Sequence, residues 1–284
     1  MTSTTPEDDI DASRAPLIEH LTELRSRLIK SMIVFIIAFG VCFYFANEIF
    51  NFLLYPYERA VGPDGNSQLI FTAPQEFLFT QLKLGLFGAL AISFPVIAGQ
   101  LYMFVAPGLY KNERAAFLPF LAATPILFIL GGSIVYFIVM PLAMSFFLGM
   151  EQTGGEGQMA ITLLPRVSEY LSLIMTLIFA FGLVFQLPVV LTLLAKARLV
   201  TPQGLRDKRK YAIVATFAAA AFLTPPDPIS QVGLAIPTLL LYEFSILSVA
   251  YVAKKQAERD AEDGLLDDDD EEDDDDDDDD EWDK

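Results

Sequence analysis

Apolar runs long enough to cross a lipid bilayer recur along this chain, and they restrict its fold more than any other feature of the sequence. About 20 apolar helical residues span the hydrocarbon core, which is roughly 30 Å thick. Only helices and closed barrels satisfy their backbone polar groups there, so the pattern predicts an all-α polytopic membrane protein. We predict one membrane domain, residues 1–257, with six spans at 28–53, 77–105, 118–148, 168–195, 211–223 and 229–252.

Two predicted spans have unusual lengths. Region 115–150 would be about 54 Å long as one helix, so two spans that turn at Gly131 and Gly132 are an alternative. The fifth span would reach only about 20 Å, short of the hydrocarbon core. With a single third span, sixteen Lys and Arg residues lie on one side and three on the other, which fits the positive-inside rule. We therefore expect a long, bent third helix and both chain ends in the cytoplasm.

The formal net charge of −18 belongs to the carboxyl-terminal tail. Residues 258–284 hold 20 of the 37 acids and two of the 19 bases, which leaves 17 acids and 17 bases in the rest of the chain. This low-complexity tail cannot form a core, so it is expected to be disordered. It is either a solvating appendix or an electrostatic attractor for basic partners, whose reach is limited to about 8–10 Å by salt.

The sequence offers little for catalysis. His20 is the only histidine and Cys42 the only cysteine, which argues against a zinc site or a His-dependent triad. No P-loop and no pair of intramembrane Asp residues is present. The amino-terminal 27 residues are polar and are not expected to form a cleavable signal peptide. We expect no catalytic residue, no metal, no cofactor and no nucleic-acid partner.

Two cytoplasmic segments carry candidate binding residues. In the first, apolar positions 17, 21, 24 and 28 have helical spacing, and Glu23 and Arg27 form an i,i+4 pair. In the second, Pro107-Gly108 ends one helix and Glu113 lies where the next begins, a position favoured by the helix dipole. The alternative for the first segment is a solvated amphipathic helix without a binding role. The alternative for the second is a plain connection between two helices.

Few polar groups are predicted inside the membrane: Gln186 in the fourth span, Glu243 in the sixth and Gln231 near its outer start. Such groups have functional roles or form interhelical hydrogen bonds, and for Gln186 both remain open. A small-molecule secondary transporter is the alternative function. It would show repeated halves and converging midplane polar groups, which this sequence lacks.

Three motifs resemble the TatC family, the polytopic receptor subunit of the twin-arginine protein translocase. They are HLTELRSRL at 20–28, FVAPGLYKNER at 104–114 and TPPD at 224–227 with Gln231. The resemblance covers about Pro16 to Tyr251 and excludes the tail. It implies a concave, glove-like arrangement of six helices, with short fifth and sixth helices, in the bacterial cytoplasmic (inner) membrane.

The resemblance also implies function and site residues. Family members bind the twin-arginine signal peptides of folded cargo and assemble with TatA/TatB-type single-span proteins, as homo-oligomers within a receptor complex, for export driven by the proton-motive force. A carboxylate suits a guanidinium, which pairs through two parallel hydrogen bonds. Gln186 departs from those members that carry Glu at this position, and it cannot ionise. The implied signal-peptide residues are Glu23, Glu113, Leu21, Arg25 and Phe104, and the implied partner-docking residues are Thr224, Gln231 and Asp227.

Overall fold

The computed structural model describes residues 6–62, 68–105, 118–152, 159–224 and 228–271. Regular structure in these ranges is helical, with two isolated β-bridges and no strand. The helices are α1 Pro6–Tyr44, α2 Ala46–Val61, α3 Glu76–Val105, α4 Leu118–Ile134, a π-helical turn Val135–Val139, α5 Met140–Leu148, α6 Val167–Val184, α7 Leu187–Lys196, α8 Pro202–Asp207, α9 Arg209–Leu223 and α10 Pro228–Glu271.

Five helical segments in these ranges are long and apolar enough to cross a membrane. They are His20–Tyr44, Glu76–Phe104, Ala122–Leu148, Val167–Lys196 and Ser230–Arg259. Helix α9, the predicted fifth span, has 15 residues and is therefore about 22 Å long. Many large apolar side chains on the spanning helices are exposed, as expected for surfaces that face lipid rather than water.

The helix of the first predicted span, 28–53, ends earlier than expected, because α1 ends at Tyr44 and α2 is a separate helix. The backbone departs from helical geometry at Phe45 (φ −95°, ψ 23°). Helix α2 is amphipathic: Ala46, Leu53 and Tyr57 are buried at helical spacing, whereas Asn47 is exposed. A helix with one polar face lies on a protein surface, so residues 46–53 do not continue the span.

The third span is one continuous helical segment from Leu118 to Leu148, and the chain does not reverse at Gly131 and Gly132. A Cβ atom on Gly131 would lie 2.8 Å from the carbonyl oxygen of Phe181 on α6. This glycine therefore permits close helix packing rather than a turn. The π-helical turn at 135–139 interrupts regular α-helix between Pro125 and Pro141.

The fourth span contains a break that the hydropathy pattern does not indicate. Helix α6 ends at Val184 and α7 begins at Leu187, with Phe185 and Gln186 forming a turn between them. Pro188 at the start of α7 has no backbone N–H to continue the preceding helix. The two helices still lie within one apolar segment, Val167–Lys196.

The sixth helix is not short: α10 has 44 residues and extends into the segment expected to be disordered. Residues 253–261 are rich in Ala, Lys, Gln, Glu and Arg, which favour helix, and Lys254 pairs with Glu258 at 3.7 Å. Local helix propensity therefore continues the helix beyond its apolar part. The expectation of disorder for 272–284 lies outside the described residues.

Helix α2 is fixed by two tyrosine hydroxyl groups from the membrane helices. Pro56 lacks the N–H group that would donate to the carbonyl oxygen of Phe52 one turn earlier. The hydroxyl of Tyr136, in the π-helical turn, donates to that oxygen at 2.8 Å. The Tyr170 hydroxyl donates to the neighbouring Leu53 carbonyl oxygen, also at 2.8 Å. The largest buried cluster forms around these contacts.

Candidate functional site

Glu23 and Arg27 form a close ion pair on α1. Both Nε and Nη2 of Arg27 donate to the Oε1 atom of Glu23, at 3.0 and 2.5 Å. The Arg27 side chain is 20% exposed and that of Glu23 is 34% exposed. The i,i+4 spacing brings the two side chains together on one helix face, as the sequence predicts. The Glu23 carboxylate is thus already bound by a guanidinium group.

Helix α1 carries this ion pair onto the end of α3. The rings of His20 and Phe104 stack, with centroids 4.2 Å apart and an interplanar angle of 17°. Nη1 of Arg27 lies 3.5 Å from Oε1 of Gln100, and Nδ1 of His20 lies 3.9 Å from Oε2 of Glu23. We call these five residues, His20, Glu23, Arg27, Gln100 and Phe104, the amino-terminal patch.

The patch brings together two predicted signal-peptide residues, Glu23 and Phe104, from distant parts of the chain. Leu21 is 63% exposed and Arg25 is also exposed, so both side chains are accessible on α1. Glu113 lies outside the described residues. Sequence reasoning missed Gln100 as a contact of the patch; the only indication was a polar residue in an otherwise apolar final part of α3.

The predicted partner-docking residues lie at the junction of α9 and α10. Thr224 is 7% exposed, and its hydroxyl donates to the carbonyl oxygen of Ala220 at 2.9 Å. That hydroxyl can still accept a hydrogen bond, because each hydroxyl oxygen has two lone pairs. Gln231 is partly buried in the first turn of α10. Asp227 lies outside the described residues.

Gln186 is buried at the break between α6 and α7, with 5% of its surface exposed. Its Nε2 atom donates to the carbonyl oxygens of Thr124 on α4, at 3.0 Å, and of Gly182 on α6, at 3.3 Å. Its Oε1 atom is buried without a hydrogen-bond partner. The amide therefore links α4 to α6 through its donor end and leaves a buried acceptor unused.

Glu243, predicted as an intramembrane polar group, pairs with Arg209 at 2.6 Å. Both side chains are about half exposed. Arg209 is the first residue of α9 and belongs to the basic cluster 206–210. The carboxylate thus lies beside the basic end of α9, the end that the charge distribution predicts to be cytoplasmic, and not near the middle of that helix.

A largely apolar cavity of about 770 Å³ lies between α1, α3, α6 and the end of α9. Its lining includes Phe35, Phe87, Met175 and Phe179, and Lys83 is the charged residue among the described lining residues. Within the described part of the chain, no three His, Cys, Asp or Glu side chains converge on a metal-binding geometry.

Comparison with known proteins yields a consistent match. The family described as Sec-independent protein translocase protein (TatC) matches residues 19–237. The Sec-independent protein translocase protein TatC of Magnetococcus marinus is 48% identical over 248 residues, which cover 87% of this chain and 89% of that protein. The protein of the same name from Escherichia coli is 39% identical over 245 residues, which cover 86% and 92%.

A solved structure agrees with these sequence relatives. A crystal structure described as the twin arginine translocase receptor TatC matches with a TM-score of 0.70 and 42% sequence identity. The match covers 82% of this chain and 99% of the chain in the crystal.

Proposed function

Because the chain belongs to the TatC family of Sec-independent protein translocase proteins, we propose that it is the receptor that binds the twin-arginine signal peptide of folded cargo. In this role Glu23 and Glu113 receive the arginine pair on the cytoplasmic side. Leu21 and Phe104 contact the apolar part of the signal, and Arg25 supports the local fold around Glu23. Protein transport by the chain requires no catalytic residue of its own.

The geometry of Glu23 carries this proposal. The carboxylate already accepts two N–H groups from the Arg27 guanidinium, so its position and environment suit the ligand group that the proposal requires. Guanidinium–carboxylate pairs are directional and use parallel donors, which a lysine ammonium does not provide. The stacked ring of Phe104 places an apolar surface beside this polar contact.

The proposal extends to assembly and location. Thr224, Asp227 and Gln231 form the docking site for TatA/TatB-type partner helices, and receptor chains associate as homo-oligomers. The chain spans the bacterial inner membrane six times, with α9 as the short fifth span and the helices in a concave, glove-like arrangement. Transport of the folded cargo is driven by the proton-motive force. Gln231, which is only partly buried in the first turn of α10, supports a polar contact with a partner helix.

A binding measurement tests the receptor role. The purified full-length chain in detergent would be titrated with a labelled signal peptide that contains Arg-Arg, and with the same peptide containing Lys-Lys. We expect the wild type to prefer Arg-Arg, and Glu23→Gln and Glu113→Gln each to weaken Arg-Arg binding about tenfold, since each loses a charge-assisted contact. Glu48→Gln, a matched loss of an exposed carboxylate on α2, should leave binding unchanged.

The receptor assignment fails if the wild type does not distinguish the two peptides. It also fails if both glutamate variants bind Arg-Arg peptide as tightly as the wild type does.

A further inference from the structure

We infer that Arg27 is an internal competitor for Glu23 and thereby sets the affinity of the amino-terminal patch for arginine-bearing ligands. The inference rests on the proposed function, in which Glu23 receives a signal-peptide arginine. It adds that the Glu23 carboxylate is already paired with Arg27 before the ligand binds. An incoming guanidinium must share Glu23 with Arg27 or displace it.

The occupied atom of Glu23 decides between sharing and displacement. Two N–H groups of Arg27 converge on Oε1, whereas within the described part of the chain the ion-pair contact of Oε2 is with His20 Nδ1, at 3.9 Å. A bidentate contact with an incoming arginine needs both carboxylate oxygens. Only Oε2 is open to the ligand while Arg27 stays in place. Full engagement of the ligand therefore requires Arg27 to leave Oε1.

Gln100 offers Arg27 an alternative partner. Its Oε1 atom already lies 3.5 Å from Nη1 of Arg27, on the side of the guanidinium group that does not contact Glu23. A guanidinium group has five N–H donors, so Arg27 can move toward Gln100 without losing all its hydrogen bonds. The 20% exposure of the Arg27 side chain also lets water solvate the released donors. Displacement thus leaves no buried, unpartnered cation.

With an internal competitor, the apparent ligand affinity equals the intrinsic affinity multiplied by the fraction of molecules in which the site is open. A partly exposed ion pair of this kind is weak, which corresponds to about a two- to fivefold reduction in ligand affinity. A lysine ammonium needs only one carboxylate oxygen, so it can bind Oε2 without displacing Arg27 and its affinity is reduced less. Arg27 therefore lowers the affinity for arginine ligands more than the affinity for lysine ligands, and it reduces the selectivity for Arg-Arg that Glu23 and Glu113 provide.

Substitution of Arg27 tests the inference with the same full-length chain and the same Arg-Arg and Lys-Lys peptides. We expect Arg27→Gln to bind the Arg-Arg peptide about two- to fivefold more tightly than the wild type, and to bind the Lys-Lys peptide no more tightly than Lys30→Gln does. Arg27→Lys should give a smaller gain in affinity, because the ammonium retains the positive charge but lacks the two parallel N–H donors of the guanidinium group. Lys30→Gln is the matched control. It removes the same charge from α1 two turns from Glu23, without a hydrogen bond to lose, and so measures the general electrostatic gain.

The outcomes separate the two ideas. If Arg27→Gln and Arg27→Lys bind more weakly than the wild type, or if Arg27→Gln gains no more than Lys30→Gln, Arg27 is not a competitor and the inference is overturned. In that case the receptor proposal still stands, provided that Glu23→Gln loses Arg-Arg binding. If Glu23→Gln and Glu113→Gln both bind normally, the receptor proposal itself fails. Thermal unfolding of each variant, compared with the wild type, shows whether a change in binding reflects a loss of folded protein.

Discussion

Gln186 shows how one buried amide can link two helices and remain only half satisfied. Its donor end is shared between the carbonyl oxygens of Thr124 and Gly182, and its Oε1 atom has no partner. A neutral amide can donate to these carbonyl oxygens, whereas an ionised carboxylate cannot. The residue type at this position therefore sets whether the contact between α4 and α6 is attractive or repulsive.

We expect Gln186→Glu to destabilise the protein at neutral pH, by about 1–3 kcal/mol. The new carboxylate would face two carbonyl oxygens that currently accept from the amide, so it must either lose these contacts or take up a proton. Thermal unfolding in detergent at pH 7 and pH 5 measures the effect, which should shrink at the lower pH because a protonated acid can donate.

Gln81→Glu on α3 is the control for this substitution. Gln81 donates to Asn47 at a solvent-exposed position, where Asn47 can turn its own amide to donate instead. Equal destabilisation by the two substitutions would show that the buried contact of Gln186 has no special cost.

The same residues show what sequence could and could not predict about the candidate site. Glu23 and Arg27 are four positions apart, so helical spacing alone predicts their contact. The stack of His20 on Phe104 and the approach of Arg27 to Gln100 join α1 to the far end of α3, and local pattern contains no information about them. For Gln186, the sequence indicates a polar residue in the membrane but not its partner on α4.

At the scale of the elements, glycines determine how closely α4 and α6 pack. A Cβ atom on Gly131 would lie 2.8 Å from the carbonyl oxygen of Phe181 and 2.9 Å from its carbonyl carbon. Those atoms belong to a helix backbone, which cannot rotate away as a side chain can. Small residues let membrane helices approach closely, because lipid provides little hydrophobic drive for their association.

Gly131→Ala is expected to destabilise the protein by about 1–3 kcal/mol through overpacking. Gly40→Ala in α1 is the control, since a Cβ atom there meets no atom within 4 Å. It should be neutral or slightly stabilising, because alanine favours helix more than glycine does. Thermal unfolding of both variants in the same detergent is the measurement, and a loss of stability in Gly40→Ala but not in Gly131→Ala would contradict this view of the interface.

Hydropathy predicted the long apolar elements, but not where they break. The spans predicted at 77–105, 118–148 and 168–195 correspond to apolar helices, because lipid exposure requires apolar side chains over the full length of a span. The break at Phe45 accompanies the packing of α2 against distant tyrosines, and the break at Gln186 precedes Pro188, which lacks a backbone N–H. Neither feature changes mean hydropathy. The sixth helix was underestimated because its polar continuation has helix propensity without hydrophobicity.

For the whole molecule, the short helix α9 determines the topology. Five segments in the described ranges are long enough to cross a membrane, an odd number that would place the two chain ends on opposite sides. If α9 also crosses, both ends lie on the same side. The basic cluster 206–210 at its start and the pairing of Arg209 with Glu243 fit a cytoplasmic start for this helix.

Cysteine labelling tests this topology. In a Cys42→Ser background, single cysteines would be placed by Ser13→Cys, Lys255→Cys and Met159→Cys, and intact cells with a permeabilised outer membrane would be treated with a membrane-impermeant maleimide. We expect Met159→Cys, at an 86% exposed position on the predicted outer side, to be labelled. Ser13→Cys and Lys255→Cys should be protected until the inner membrane is opened. Labelling of Lys255→Cys in intact cells would exclude a crossing by α9.

The contact between Tyr136 and the Phe52 carbonyl oxygen has a consequence for how this fold can vary. Pro56 leaves the carbonyl oxygen of Phe52 without its helical donor, and the hydroxyl group of Tyr136, 84 positions after Phe52, donates to it. The proline depends on the tyrosine, because without its hydroxyl the Phe52 carbonyl oxygen loses this donor. The tyrosine does not depend on the proline, since a carbonyl oxygen can accept two hydrogen bonds. Relatives that carry proline at position 56 should therefore also carry a hydrogen-bond donor at position 136, whereas tyrosine at position 136 does not require the proline.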